Sequence, residues 1–372
     1  MSWHTSPLAA PGSGDAGGMN VYVREIARAL GDAGARVDIL TARPDVVVPL
    51  VTALHERVRV LTLPRDGGLE VALPRYDVVH SHYWQSAAPG HVLAERSGAR
   101  HVHTFHTSGH AKNASLAPED VAEPDRRLRT EREIVRDVDA VIVSTEDERA
   151  QTVSRLQAEP GRVHVIPPGV DTRRFTPRDA FPARAALGLR DHRVVVHVGR
   201  IQPLKGIATG IRALAQLGGE LPRRCALVVA GGPSGPRGRR TLATLRDEAH
   251  RLPDGIEVRF VGRCAHRALP VLLGAADAAV VCSRSESFCL AALEAIACGL
   301  PIVGTAVGGL PSFVAEGESG YLVPGRAEAF APRLLDVLTS PRRRAMAAAA
   351  TESARRFSWP RTARRILEAY DI

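Results

Sequence analysis

Short runs of β-branched and other apolar residues alternate with amphipathic stretches along the whole chain of 372 residues. Many of these runs are apolar at consecutive positions, which is typical of strands buried on both faces of a parallel sheet. Apolar stripes at helical spacing separate them, and one stripe consists of Met19, Val23, Ile26 and Leu30. We predict strands at residues 37–42, 58–63, 77–81, 101–106, 140–144, 163–166, 194–198, 226–230, 258–261, 279–282 and 302–304. The alternation predicts an α/β fold with doubly wound parallel sheets.

The segment Pro167-Pro168-Gly169 breaks both helices and strands and divides this series in two. We therefore predict a Rossmann-like N-terminal domain over residues 1–170 and a second Rossmann-like domain over residues 171–350. A C-terminal helix within residues 351–372 is expected to pack back on the first domain. Ligands of such sheets bind in the cleft at the carboxyl ends of the strands. The first strand, residues 1–4, is short, so either its start was assigned late or the sheet is weakened at this edge.

Composition narrows the function classes. The chain has 49 Lys+Arg and 40 Asp+Glu, but the cations are spread along the chain among acids, so we expect no nucleic-acid binding. Every cation except Lys112 and Lys205 is Arg, a skew typical of GC-rich coding. No apolar run has membrane-spanning length, and nothing at the start reads as a signal peptide. The five cysteines lack framework spacing, which predicts reduced thiols and a cytoplasmic location.

A glycine-rich loop over residues 11–20 precedes the first predicted helix, where backbone N–H groups and the helix dipole favour an anion. Gly12, Gly14 and Gly17 spell the G-x-G-x-x-G pattern of dinucleotide enzymes. The next strand, however, ends without an acid for a ribose diol, which disfavours a dehydrogenase. A plain glycine-rich connection stays open as an alternative.

Two cations five residues apart follow the first strand of the second half. Arg200 offers a bidentate fork and Lys205 a movable point charge, so both can converge on one diphosphate. Glu286 and Glu294 stand eight residues apart across a predicted loop and helix, where one can reach a sugar's hydroxyls and the other a ribose diol. The alternatives are solvated loop cations, a helix-capping acid and a surface glutamate.

Glu286, Phe288 and Glu294 resemble the E-x-F-x-x-x-x-x-E signature of retaining glycosyltransferase family 4, and residues 199–205 resemble its diphosphate loop. The similarity extends from residue 4 to about residue 330 and implies the two-domain GT-B fold. Residues 4–8 and 14–23 resemble the branch that transfers N-acetylglucosamine from UDP-N-acetylglucosamine to 1D-myo-inositol 3-phosphate in mycothiol biosynthesis. The resemblance implies a hexosyltransferase that needs no cofactor or metal, and a homodimer is compatible with it. Front-face attack would pass the acceptor proton to the leaving phosphate.

The resemblance also implies roles for individual residues. The implied catalytic residues are His106 beside the donor sugar, Arg200 and Lys205 on the diphosphate, and Glu286 on the sugar hydroxyls. The implied donor-binding residues are Gly18, Gly199, Arg200, Lys205, Gly232, Arg263, Glu286, Phe288, Cys289, Leu290 and Glu294, the last of these on the ribose. The implied acceptor-binding residues are Asn20, Tyr83, Thr107 and Arg127. Lys112-Asn113 matches a pair in this branch to which the sequence assigns no role.

Two departures leave the acceptor and the donor geometry open. The inositol-phosphate branch has a phosphate-binding lysine where residues 67–74 contain none, and Glu70 would repel phosphate. Losing one charge-assisted contact costs on the order of 1.5–3 kcal/mol, so an aminocyclitol or another natural-product acceptor is the alternative. Cys289 replaces the usual glycine, and together with the short first strand it leaves a non-catalytic nucleotide-sugar binder open.

Several histidines invite a metal hypothesis, namely His80, His82, His101, His103, His106 and His110. They alternate along predicted strands and have no suitable acidic or thiolate neighbour in the sequence. We therefore expect no bound metal.

Overall fold

The computed structural model describes residues 1–372 except 13–15, 44, 47–48, 67–68, 70–72, 117–120, 222 and 372. The strands are β1 (Val37–Arg43), β2 (Leu50–His55), β3 (Val58–Pro64), β4 (Val78–His82), β5 (Arg100–Thr104), β6 (Ala140–Val143), β7 (Val163–Val165), β8 (Arg193–Val198), β9 (Cys225–Ala230), β10 (Ile256–Gly262), β11 (Ala278–Val281), β12 (Ile302–Gly304) and β13 (Gly320–Leu322). The helices are α1 (Gly18–Asp32), α2 (Ala87–Ser97), α3 (Gly109–Asn113), α4 (Asp125–Asp137), α5 (Glu146–Leu156), α6 (Phe181–Leu187), α7 (Ile207–Ala215), α8 (Gly238–Ala249), α9 (Leu269–Gly274), α10 (Leu290–Ala297), α11 (Leu310–Phe313), α12 (Ala327–Thr339), α13 (Arg343–Arg355) and α14 (Trp359–Tyr370). The predicted α/β class is confirmed.

The first half contains two sheets, with strand orders β1-β3-β2 and β4-β5-β6-β7. All their strand pairs are parallel except β2 with β3, which are antiparallel. Only Glu56 and Arg57 separate β2 from β3, and so short a connection can join only antiparallel neighbours. Strand β2 was not predicted; it is an edge strand that exposes the side chains of Leu50 and Val51.

The short first segment lies at the centre of these sheets. The Ser2 N–H donates to the Leu40 carbonyl oxygen at 2.8 Å, and the His82 N–H donates to the Met1 carbonyl oxygen at 2.9 Å. Residues 1–2 therefore connect β1 with β4 and join the two sheets. The idea of a weakened sheet edge at this segment is wrong, because both of its sides are hydrogen-bonded.

The second half forms one parallel sheet with the strand order β10-β9-β8-β11-β12-β13. Its interior strand β9 is buried at every position, as the consecutive apolar residues predict. Helices α7 and α12 pack on one face, and α10 and α11 pack on the other. The carboxyl ends of β8 and β11 lead into residues 199–206 and 282–290, which carry most of the predicted donor-binding residues.

The last helix, α14, packs against α1 of the first half. Trp359, Ala363 and Ile366 are buried in one cluster with Tyr22 and Ile26. The chain leaves the first half near Val170 and returns to it near Phe357. These two points are adjacent, since the Val170 N–H donates to the Phe357 carbonyl oxygen at 3.1 Å. The final helix therefore completes the core of the first half.

We predict that Ile366→Ala destabilises the first half by about 2–4 kcal/mol, because this fully buried side chain fills the contact between α14 and α1. Tryptophan fluorescence during urea unfolding reports on this half, since Trp3, Trp84 and Trp359 all pack there. The control Val271→Ala, at a 52% exposed position on α9, should change the midpoint little. Equal midpoints for the two variants would contradict the prediction.

Candidate active site

The two halves contact each other at the carboxyl ends of their strands. The Ser287 hydroxyl donates a hydrogen bond to the backbone carbonyl oxygen of His106. A Cβ placed on Gly18 would lie 4.0 Å from Cδ1 of Leu290. Gly18 is the first residue of α1 and Leu290 is the first residue of α10. The amino ends of two helices from opposite halves therefore face each other, and both favour an anion between them.

Arg200 crosses the cleft toward the glycine-rich loop. A Cβ on Gly17 would lie 3.6 Å from Arg200 Nε, and an Arg200 N–H donates to the Ser234 hydroxyl at 3.4 Å. Arg200 therefore approaches the start of α1, as a diphosphate site requires. Gly14, which was part of the predicted phosphate loop, lies outside the described residues.

The other predicted donor-loop residues gather beside Arg200. A Cβ on Gly232 would lie 3.0 Å from Arg263 Cγ and 3.1 Å from the Gly12 carbonyl oxygen. A Cβ on Gly199 would lie 3.2 Å from His197 Nε2 and 4.0 Å from Lys205 Cδ. Three loops from both halves thus converge with little room for larger side chains.

Lys205 and Glu286 form an ion pair of 2.6 Å between Nζ and Oε1. The Ser283 hydroxyl donates to the same oxygen at 2.6 Å. Burial alone would raise the pKa of Glu286, but Lys205 and Ser283 outweigh it and hold this pKa below its ordinary value. Gly206 positions the lysine loop with φ = 62°, where a Cβ would lie 2.1 Å from the Cys282 carbonyl oxygen. Glu286 is therefore ionised and able to accept further hydrogen bonds.

Glu294 is buried on α10, where its Oε1 lies 2.5 Å from His266 Nε2. Nδ1 of the same imidazole lies 3.0 Å from an Arg24 guanidinium nitrogen on α1. Neither His266 nor Arg24 was predicted from the sequence. The two residues are 242 positions apart, and no motif marks either of them.

Phe288 and Cys289 connect the two glutamates. The Phe288 ring is buried, 5.6 Å from the ring centroid of Phe313 and 5.8 Å from that of Phe357. The side chain of this predicted donor-binding residue thus anchors the loop in the core. Cys289 has φ = 75°, in the left-handed region that favours glycine, so the glycine-to-cysteine departure is a strained one.

His106 and Tyr83 follow the neighbouring strands β5 and β4, and both have left-handed backbones, with φ of 60° and 72°. Strand β5 ends at Thr104, two residues earlier than predicted, because His106 turns the chain out of the sheet. The His106 ring contacts the edge of Tyr22, with ring centroids 4.9 Å apart, and its Nε2 lies 3.0 Å from His82 Nδ1. Burial lowers the pKa of His106 to about 3, so the ring is neutral at neutral pH.

The predicted acceptor residue Arg127 is buried between two carboxylates on α4 and the segment before it. Its guanidinium lies 2.8 Å from Glu131 and 2.9 Å from Glu123. It also donates to the Thr107 carbonyl oxygen at 2.5 Å and to the Tyr83 hydroxyl at 3.2 Å. The structure therefore brings together three of the four predicted acceptor residues.

The fourth predicted acceptor residue, Asn20, holds the first loop in place: its side-chain amide donates to the Ser6 carbonyl oxygen at 2.7 Å and accepts from the Gly17 N–H at 2.8 Å. Lys112 pairs with the Glu123 carboxylate, and the Asn113 side chain accepts from the Glu123 N–H at 2.7 Å. The Lys-Asn pair thus secures Glu123 beside Arg127. Glu70, the departure predicted to repel phosphate, lies outside the described residues.

The histidines on β4 and β5 bond mainly to their neighbours. Ser81 Oγ lies 2.8 Å from both His101 Nε2 and His103 Nδ1, and His80 Nε2 lies 2.8 Å from Thr104 Oγ1. Nowhere in the described part of the chain do three His, Cys, Asp or Glu side chains form a metal-binding group. Within that same part, no helix is both long enough and apolar enough to cross a membrane.

Known proteins share this organisation. Residues 16–174 match the family model described as Glycosyltransferase Family 4, and residues 181–356 match that of Glycosyl transferases group 1. A D-inositol 3-phosphate glycosyltransferase of Stackebrandtia nassauensis is 41% identical over 100% of this chain and 90% of its own length. The enzyme of that name from Mycobacterium tuberculosis is 42% identical over 100% of this chain and 82% of its own length.

Solved structures agree in fold. Sucrose-phosphate synthase from Thermosynechococcus elongatus superimposes with a TM-score of 0.85 at 31% identity, covering 99% of this chain and 96% of that one. An Anabaena protein in complex with UDP and glucose has a TM-score of 0.75 at 21% identity, covering 96% of each chain. Together with these matches, two α/β halves that face each other across a cleft define a GT-B glycosyltransferase. The chain belongs to glycosyltransferase family 4, which confirms the predicted family, fold and transferase class.

Glycine at position 289 should relieve the strain of the left-handed backbone, whereas alanine should not. We expect Cys289→Gly to unfold with a free energy about 1 kcal/mol higher than Cys289→Ala, because both lose the thiol and only alanine keeps the left-handed strain. Urea unfolding followed by circular dichroism measures the difference. Equal stability of the two variants would show that position 289 is not strained.

Acid should destabilise the chain through its buried histidines. Burial lowers the pKa of His101 to about 4, below the unfolded value of 6.5, so the unfolded chain binds more protons between these values. The contribution of neutral His101 to the free energy of unfolding is fully present above pH 6.5 and is lost as the pH falls toward 4. At pH 5 the loss is on the order of 1–2 kcal/mol. Urea unfolding at pH 7.5 and 5 should show a smaller loss for His101→Gln than for wild type. The same change at the exposed His250, in the other half of the protein, serves as the control.

Proposed function

We propose that this protein transfers N-acetylglucosamine from UDP-N-acetylglucosamine to a hydroxyl of 1D-myo-inositol 3-phosphate, with retention at the anomeric carbon. The observation that carries the proposal is the convergence of Arg200, Lys205 and two helix amino ends on one cleft, with Glu286 beside them. The full-length similarity to D-inositol 3-phosphate glycosyltransferases supports the choice of acceptor.

The donor side supplies electrostatic stabilisation. As the bond from the anomeric carbon to the diphosphate breaks, negative charge develops on the leaving phosphate. Arg200, Lys205 and the N–H groups at the start of α1 are positioned to receive that charge. The new bond to the acceptor oxygen forms on the same face, and the acceptor proton goes to the leaving phosphate oxygen.

No protein base is needed for this transfer, and the nearby residues are consistent with that. His106 is a neutral ring with a strongly lowered pKa, and Glu286 has a lowered pKa and is bound to Lys205. Both are weak bases at neutral pH. We assign His106 to packing against the donor sugar and Glu286 to its hydroxyls.

The residues of the proposed acceptor side are also compatible with a second acceptor. Lys112 and Arg127 are balanced by Glu123 and Glu131, so the cluster is neutral before a substrate arrives. A phosphate must compete with these carboxylates for the two cations, whereas an aminocyclitol would meet Glu123 as a partner. The absence of a lysine from residues 67–74 also favours an aminocyclitol over a phosphate. An aminocyclitol is therefore the alternative acceptor.

We also assign the reaction to the cytoplasm, which the free state of all five cysteines supports. The proposed boundary near residue 170 lies close to the end of one family match at residue 174, and the next match begins at residue 181. The homodimer stays a prediction.

The donor assignment can be tested with Lys205→Ala and Glu286→Gln. We expect both variants to lose at least about 100-fold in transfer rate, because each removes a contact that strengthens in the transition state. Arg212→Ala is the matched control: it also breaks an Arg/Lys–Glu pair, but on the exposed surface of α7. UDP release with saturating acceptor is the measurement. Wild-type rates in either site variant would contradict the assignment.

The acceptor assignment can be tested with a panel of inositol, inositol 3-phosphate and aminocyclitols. We expect inositol 3-phosphate to have the highest kcat/KM, and proton NMR of the product to show the anomeric configuration of the donor. Equal kcat/KM for inositol and its phosphate would refute the leading acceptor. Saturable binding of the UDP-sugar without turnover on any acceptor would instead identify a non-catalytic binder.

A further inference from the structure

We propose that His266 is a positioning residue that orients Glu294 on the donor ribose and couples this contact to Arg24 in the opposite half of the protein. The inference rests on the proposed function, because it takes Glu294 as the residue that holds the nucleotide ribose. What it adds is a relay across the cleft, formed by Arg24, His266 and Glu294.

Hydrogen-bond chemistry fixes the direction of the relay. An arginine guanidinium can only donate, so His266 Nδ1, 3.0 Å from Arg24, must be the acceptor. A neutral imidazole then carries its proton on Nε2, which donates to Glu294 Oε1 at 2.5 Å. Arg24 thereby selects the tautomer that can bind the carboxylate.

Burial restricts the orientation of the Glu294 carboxylate. The side chains of His266 and Glu294 are each 8% exposed, and that of Arg24 is 15% exposed. A buried carboxylate with one fixed oxygen has little freedom to rotate, so its other oxygen is presented in a single direction. A ribose hydroxyl that donates to that oxygen therefore meets an acceptor that already has the required orientation before the nucleotide binds.

The relay also couples two parts of the donor site. Arg24 lies on α1, and a Cβ on Gly17, the residue just before this helix, would lie 3.6 Å from Nε of Arg200 on the diphosphate loop. Glu294 lies on α10, whose first residue, Leu290, faces Gly18. A ribose seated on Glu294 therefore favours the position of α1 in which its amino end approaches the diphosphate. Nucleotide binding in the second half is thus linked to the position of α1 in the first half.

The test compares UDP with 2′-deoxy-UDP and 3′-deoxy-UDP by isothermal titration calorimetry on the full chain. Wild type should bind UDP about ten- to a hundredfold more tightly than at least one deoxy analogue, because a hydrogen bond to a carboxylate is lost. In His266→Leu, UDP should bind about tenfold more weakly while that analogue binds as in wild type. His266→Gln, which keeps a donor near the Nε2 position, should recover part of the difference. Should either substitution fail to fold, the Arg24 variant below carries the test.

Arg24→Met tests the coupling from the opposite half. It should lower the preference for UDP over the deoxy analogue about two- to fivefold, and it should have no further effect in the His266→Leu background. Arg28→Met is the matched control, since Arg28 and Arg24 both pair with Glu25 and only Arg24 reaches His266. The control should keep the wild-type preference.

The outcomes separate this inference from the function on which it rests. If wild type binds no UDP, both fail. If wild type prefers UDP and the His266 and Arg24 variants keep the full preference, the relay is refuted while the transferase proposal stands. Equal binding of all three nucleotides by wild type would also refute the relay, since Glu294 would then not contact the ribose. A drop in kcat without a rise in donor KM in His266→Leu would likewise contradict a positioning role.

Discussion

Parallel strand pairing is the constraint on which the rest of this structure depends. It aligns the strands of each sheet, so that their carboxyl ends, with the loops that follow them, lie at the same edge. The buried sheet of the second half therefore presents residues 199–206 and 282–290 together, although more than 70 residues separate them in sequence. The first half presents Tyr83 and His106 in the same way. The cleft between the halves is lined by these loops.

Much of the charge in this cleft is paired before any substrate binds. Lys205 is paired with Glu286, and Arg127 is paired with Glu123 and Glu131. Such pairing lowers the cost of burying charges in a low-dielectric site. It also means that ligands enter by joining or replacing existing ion pairs, so donor and acceptor affinity depend on the carboxylates as much as on the cations. The two ends of the cleft differ in that the donor end also has two helix amino ends, and neither helix has an acidic residue in its first turn.

Much of the fold and part of the site could be predicted because they depend on local pattern. Consecutive apolar residues predicted strands such as β9, and the motif from Glu286 to Glu294 indicated the family by resemblance. The antiparallel β2 was missed because its apolar residues lie on an exposed edge, where burial does not impose a recognisable pattern. The short segment at residues 1–2 was misjudged because its hydrogen-bond partners, Leu40 and His82, are distant in sequence.

The sequence by itself determined the α/β class, the family signature and the types of charge available at the donor site, since these follow from short-range periodicity and spacing. Only the tertiary structure decided how those charges are used. It showed that Arg127 is enclosed by two carboxylates, that Cys289 occupies a left-handed backbone position, and that Arg24 reaches His266 from the opposite half. These features arise from side chains that meet across long stretches of chain, and their contacts depend on packing in three dimensions, which no local pattern encodes.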